Sequence, residues 1–226
     1  MRYSKEEIRK TQKGRGFWLH ISNEMATQLI YRVQGLDVSP NLFTLISLIF
    51  GVLFGLAMIN GFLITSAILL NLLYLFDNFD GQWARVKNMT SKFGALFDSL
   101  VDGWNITAVV FSIGVYLYNE TANSLYLYLI ALFFALSFLD FALEKNMVVE
   151  STSKDNQSST ISLQERSSRL KPIIKIVDAL TLYDKWIFMI TLGLLFGYVE
   201  LSLIYIIGVR LLNYGVKLLK IYIIYR

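Results

Sequence analysis

A chain of 226 residues that is 55% hydrophobic, with a mean hydropathy of +0.51, is too apolar for an ordinary water-soluble domain and reads as an all-α polytopic membrane protein. The absence of cysteine excludes disulfides, thiolate nucleophiles and cysteine-bound zinc, and the single histidine, His20, excludes a histidine-rich metal site. The formal net charge is +4, and where the charges fall matters more than their sum.

Residues 1–38 form a basic N-terminal segment. Arg2, Lys5, Arg9, Lys10, Lys13 and Arg15 open it without an apolar run, so no cleavable signal peptide is expected. Phe17, Ile21, Met25, Leu29 and Val33 then recur every four residues, which predicts an amphipathic helix with Trp18 near its start. Two placements are open: in the membrane interface, cationic end toward anionic headgroups, or packed on the bundle. His20 lies here, away from any other candidate group, and takes no role.

Residues 39–226 read as a bundle of six transmembrane helices. Ser39-Pro40-Asn41 starts the first span, about residues 40–60, because a proline at a helix start forfeits only an N–H the helix could not use. After the Asn60-Gly61 turn, a second span at about 62–76 continues as helix through Arg85. A polar connection, Lys87 to Lys92, precedes a third span at about 93–118. A turn at Asn119–Asn123 leads to a fourth, ending near 143. The serine-rich stretch at about 146–171 reads as the one long polar loop, followed by an amphipathic segment at 172–182. Fifth and sixth spans follow at about 184–199 and 201–222, the fifth short for a hydrocarbon core ~30 Å thick. None of the 21 Lys and Arg residues falls in the turns near Asn60, Asn119 and Val199. By the positive-inside rule the N-terminus and the inward connections are then cytoplasmic. Asn119-Glu120-Thr121 is formally a glycosylation sequon, but a turn hugging the membrane is a poor acceptor.

The second and third spans meet at an acidic stretch. Asp77, Asp80, Gly81 and Ala84 fall at i, i+3, i+4 and i+7 of one helix, and Gly94, Asp98 and Asp102 at four-residue steps of the next. Two such faces turned together hold four carboxylates within a few ångströms, where they repel unless protons or cations intervene. Hard oxygen ligands suit Mg²⁺ or Mn²⁺. Gly81, Ala84 and Gly94 leave room for a ligand, and Arg85 offers a fork of donors to a phosphate. A solvated structural cluster is the plainer alternative. It fits one aspartate at a span boundary better than four in this register, since intramembrane charge is seldom kept without use.

The pattern D-x2-D-G-x2-A-R-x8-G-x3-D-x3-D, from Asp77 to Asp102, resembles the signature of the CDP-alcohol phosphotransferase (CDP-alcohol phosphatidyltransferase) family and matches all eight fixed positions. At roughly one chance in twenty per position, such a match arises by accident on the order of once in 10^10 starts. The resemblance implies a transferase of phospholipid or polar-lipid synthesis. An acceptor hydroxyl would attack a CDP-linked donor, CDP-diacylglycerol or another CDP-alcohol, releasing CMP with the help of two Mg²⁺ or Mn²⁺ ions. It implies Asp77, Asp80, Asp98 and Asp102 as metal ligands, Asp102 also as general base, and Asn41, Thr44, Gly81, Ala84, Arg85 and Gly94 as the nucleotide and phosphate site. Thr44 has a second reading, as part of a helix start beside Pro40 and Asn41. Gly103 stands where inositol-phosphate-type members often carry arginine, which weighs against that acceptor. The partners implied are the CDP-linked donor, a small alcohol or lipid acceptor, the bilayer and a second copy of the chain in a homodimer, with no nucleic acid.

Arg210, Asn213, Tyr214 and Lys217 form a second polar stripe, inside the sixth span. Two readings are open: Arg210, Asn213 and Lys217 bind the polar part of the acceptor, or Arg210 pairs with an intramembrane acid such as Asp140, with Glu144 and Asp184 further candidates. A reading from another class, a cation transporter using the carboxylates as its site, would need a polar path through the midplane, and often internal repeats. The acids here cluster at one end and no repeat is visible.

Overall fold

Helices begin and end in this chain where the sequence supplies a cap or a breaker. The structure, a computed structural model, describes residues 3–14, 16–153 and 183–225. Ser4 and Glu7 form a capping box for the short helix α1 (Lys5–Arg9), which periodicity alone does not reveal. α2 (Phe17–Val33) follows, and Pro40 occupies the first turn of α3 (Pro40–Ile59) with Ser39 as its N-cap. Gly61, at φ 76°, turns the chain into α4 (Leu63–Val86), which carries the first half of the acidic motif without a break. Ser91 caps α5 (Lys92–Thr121), accepting the Gly94 N–H at 2.9 Å. α6 (Leu125–Ser153), α7 (Tyr183–Phe196) and α8 (Val199–Tyr225) complete the chain, and the described residues contain no strand.

Five of these helices (α3, α4, α5, α6 and α8) are long and apolar enough to cross a membrane, which makes this an all-α multi-pass membrane protein. The expected fifth span is α7, whose 14 described residues rise only about 21 Å. The expected loop at 146–171 is corrected at its start. The α6 backbone continues to Ser153, since Phe141–Ser153 contains neither glycine nor proline to stop it. The rest of that stretch and the expected amphipathic segment at 172–182 lie outside the described residues.

α3 packs against both α4 and α5, and the short links at Gly61 and at 87–91 reverse the chain between successive helices. The start of α3, the end of α4 and the start of α5 therefore lie together at one end of the bundle. α2 covers that end of α4. Its small and polar side chains Ser22, Asn23, Ala26 and Thr27 are the buried ones, while Phe17, Ile21 and Met25 are exposed. The helix thus packs on the bundle with one face, which includes Leu29 and Val33, and leaves Phe17, Ile21 and Met25 exposed.

α4 divides its faces accordingly. Leu75, Phe79, Trp83 and Val86 turn toward Ile8, Ala26, Ile30 and Phe43 to make a small apolar core at the motif end. Phe43 meets Phe79 at 4.4 Å between ring centroids, and Phe79 stacks on Trp83 at 5.7 Å. The burial of each such ring stabilises by about 1.5–3 kcal/mol, so it fixes the rotation of α4 about its own axis. That rotation aims Asp77, Asp80, Gly81 and Ala84 away from α2.

Candidate active site

An open cavity of about 160 Å³ lies where these three helix ends meet. Asn41 and Thr44 reach it from α3, Asp80, Gly81, Ala84 and Arg85 from α4, and Gly94 and Asp98 from α5. The structure thus brings all six residues expected at the nucleotide and phosphate site to one cavity, with two of the four aspartates. Close packing explains both glycines. A Cβ at Gly81 would stand 3.1 Å from Nη1 of Arg85, and one at Gly94 would stand 3.0 Å from Oγ of Ser91 and 3.3 Å from Oδ1 of Asn41.

The four aspartates do not form one even cluster. Asp77, Asp98 and Asp102 each place a carboxylate oxygen within 4.8 Å of the other two. Asp80 is not one of these three, but it lines the cavity beside Asp98. It is buried, and its Oδ2 accepts a hydrogen bond of 2.5 Å from the Thr44 hydroxyl. Thr44, equally buried, has a hydroxyl donor to satisfy and finds its acceptor in that carboxylate. Thr44 therefore holds a site carboxylate besides lining the cavity. Asp98 belongs to both the triad and the cavity wall, and so joins them.

None of the four aspartates forms an ion pair among the described residues. Three all-oxygen carboxylates this close suit a divalent ion such as Mg²⁺ or Mn²⁺ by charge and by hardness. Arg85 lies nearby without closing on them. Its Nε donates to the Thr11 carbonyl at 2.7 Å, and its η nitrogens lie over Gly81.

A family model described as CDP-alcohol phosphatidyltransferase matches residues 37–199. The chain belongs to that family. No curated protein matches it. As a CDP-alcohol phosphatidyltransferase it is a membrane transferase of phospholipid biosynthesis, acting on CDP-alcohol substrates with release of CMP. The match begins just before α3 and ends at the first residue of α8, so α1, α2 and nearly all of α8 lie outside it.

The second polar stripe sits elsewhere. Arg210 and Lys217 each approach Asp140 on α6, Arg210 Nη1 to Oδ2 and Lys217 Nζ to Oδ1, both at 3.2 Å. Arg210 thus pairs with Asp140, and none of Arg210, Asn213 and Lys217 lines the acidic cavity. The side chains of Glu144 and Asp184 lie outside the described residues. Sequence reasoning missed Thr11 and Gln82. Gln82 occupies a variable position of the motif and is fully buried against α2, where its Nε2 donates to Asn23 Oδ1 at 2.7 Å.

Proposed function

We propose that this CDP-alcohol phosphatidyltransferase joins a CDP-linked donor, CDP-diacylglycerol foremost, to a small alcohol or lipid acceptor at the cytoplasmic membrane face. The observation that carries the proposal is the pairing of an uncompensated carboxylate triad, Asp77, Asp98 and Asp102, with a cavity walled by Gly81, Ala84 and Arg85. Mg²⁺ or Mn²⁺ held by the triad, with Asp80 alongside, would neutralise the donor's diphosphate and polarise its phosphorus.

In this reading the residues divide the work. Asn41, Gly81, Ala84 and Gly94 shape the wall that receives the cytidine end, and the small residues let it approach the backbone. Arg85 offers its η N–H groups to the diphosphate. Thr44 fixes Asp80 through one oxygen and leaves the other available as a ligand. Asp102, the most exposed of the triad, takes the proton of the acceptor hydroxyl. The hydroxyl oxygen bonds to the phosphorus that bears the donor alcohol. The bond from that phosphorus to the bridging oxygen breaks, and CMP leaves with the bond's electron pair.

The pairing of Arg210 and Lys217 with Asp140 supports a structural role for that stripe rather than acceptor binding. The family likeness also suggests a homodimer through membrane helices, which we include in the proposal. Cation transport is not proposed, because a transporter would need its charged groups to continue through the midplane from the triad. The test is CMP release by the purified protein in detergent, from CDP-diacylglycerol and from CDP-choline, with candidate alcohols added singly and with Mg²⁺, Mn²⁺ or chelator. Release that needs both a divalent ion and one alcohol is expected. Release from neither donor with any alcohol would overturn the reading.

A further inference from the structure

Arg85 is held by a part of the chain that lies outside the family match. Its Nε donates to the carbonyl oxygen of Thr11, 74 positions away in sequence. A guanidinium is planar with five donors, so one bond at Nε sets the plane and leaves both η groups for an anion. The carbonyl is itself secured. Gln12 Nε2 donates to Glu24 Oε1 and Thr27 Oγ1, each at 3.0 Å, and the Thr27 hydroxyl donates to Gln82 Oε1 at 3.3 Å. Thr27 and Gln82 are wholly buried, so this chain of bonds runs through the packed interior from the N-terminal arm to the acidic motif. Ile8, also wholly buried, packs the arm against the core that contains Trp83. A segment serving only to touch the membrane surface would need none of these contacts.

We propose that the N-terminal arm, residues 3–14, is a component of the active site: the Thr11 carbonyl orients the Arg85 guanidinium toward the donor diphosphate, and Gln12 is the positioning side chain that keeps Thr11 in place. The inference rests on the reading of Arg85 as a phosphate contact. It predicts that damage to the arm acts on donor binding through Arg85 and through no other route.

The experiment uses the full chain in lipid nanodiscs with ¹⁵N-labelled arginine, comparing wild type with Gln12→Leu, Thr27→Val and Thr27→Ser. The Arg85 Nε–H signal is assigned by its loss in Arg85→Lys. Slow hydrogen exchange at that group is expected in wild type and in Thr27→Ser, which keeps the hydroxyl, and fast exchange in Gln12→Leu and Thr27→Val. Fast exchange in wild type, or protection unchanged in both of those variants, would overturn the assignment of the arm. Calorimetric titration of CDP with Mn²⁺ present is the second readout. Gln12→Leu should weaken CDP about tenfold in the wild-type background and not at all in Arg85→Met, because the two changes remove one interaction. An equal loss in both backgrounds would make the arm a general support and overturn the proposal. Should wild type bind no CDP, the functional reading fails instead, and the exchange measurement alone decides whether the arm holds Arg85.

Discussion

Two groups of charged side chains lie within the spans of this protein, and they are treated oppositely. Asp140 on α6 is met by Arg210 and Lys217 of α8, one cation for each carboxylate oxygen. Asp77, Asp98 and Asp102 gather within 4.8 Å and receive no cation from the described chain. A carboxylate in low dielectric is costly unless its charge is answered. Where the protein supplies the answer, the charges pair and link two helices. Where it does not, the charge is left for a ligand. The same chemical group thus reads as structure in one place and as a site in the other, and the difference lies in the partners.

The largest expected effect falls on the unanswered cluster. Asp102→Asn keeps size and hydrogen-bonding shape but loses the basic oxygen, so CMP release should fall by about 10²–10⁴-fold. CDP binding, measured by calorimetry, should survive. A variant with full turnover would remove Asp102 as the base and weaken the contrast drawn above.

The next pair of variants tests the contrast by sign. In chelator, Asp140→Asn leaves two cations facing a neutral amide and should destabilise the protein by about 3–5 kcal/mol, read as a lowered Tm. Arg210→Ala should likewise lower Tm while leaving the KM for donor and for acceptor unchanged. A raised acceptor KM alone would return Arg210 to the acceptor site. Asp77→Asn, under the same conditions, removes repulsion and should raise stability by about 0.5–2 kcal/mol at the cost of activity. Equal signs for Asp77→Asn and Asp140→Asn would break the comparison.

The acidic motif was legible from the chain because helical periodicity is a one-dimensional property. The spacing from Asp77 to Ala84 and from Gly94 to Asp102 is enough to put each set on one face. The spans were legible for the same reason, and the helix start at Ser39-Pro40-Asn41 is local. What spacing does not carry is which distant group satisfies which. Thr44 taking Asp80 spans 36 positions and Thr11 taking Arg85 spans 74. The α2 pattern is incomplete in a related way: Phe17, Ile21 and Met25 of its apolar stripe are exposed while Leu29 and Val33 pack on the core, and Ser22, Asn23 and Thr27 on the buried side hydrogen-bond to Asn78 and Gln82 of α4. In a lipid setting an apolar stripe is free to face outward, so periodicity locates a face without saying what it meets.

A third charged pair, outside the spans, gives the smallest effect and completes the series. Arg9 of α1 meets Glu24 of α2 at 2.8 Å, so the charge is answered, but the guanidinium is half exposed and water already screens it. The hydrogen bonds from Arg9 and then Gln12 hold the Glu24 carboxyl below the usual carboxylate range. A depressed acid stabilises the fold above its unfolded pKa of about 4.3, and the contribution disappears as pH falls through the lower folded value. Glu24→Gln should therefore speed amide hydrogen exchange in residues 3–14 at neutral pH and cease to differ from wild type well below pH ~4. A difference that persists in acid would mean that packing of Ile8, and not the ion pair, fastens the arm. An exchange rate unaffected at every pH would mean that an answered charge in water contributes nothing here, leaving burial as the sole reason Asp140 needs its two cations.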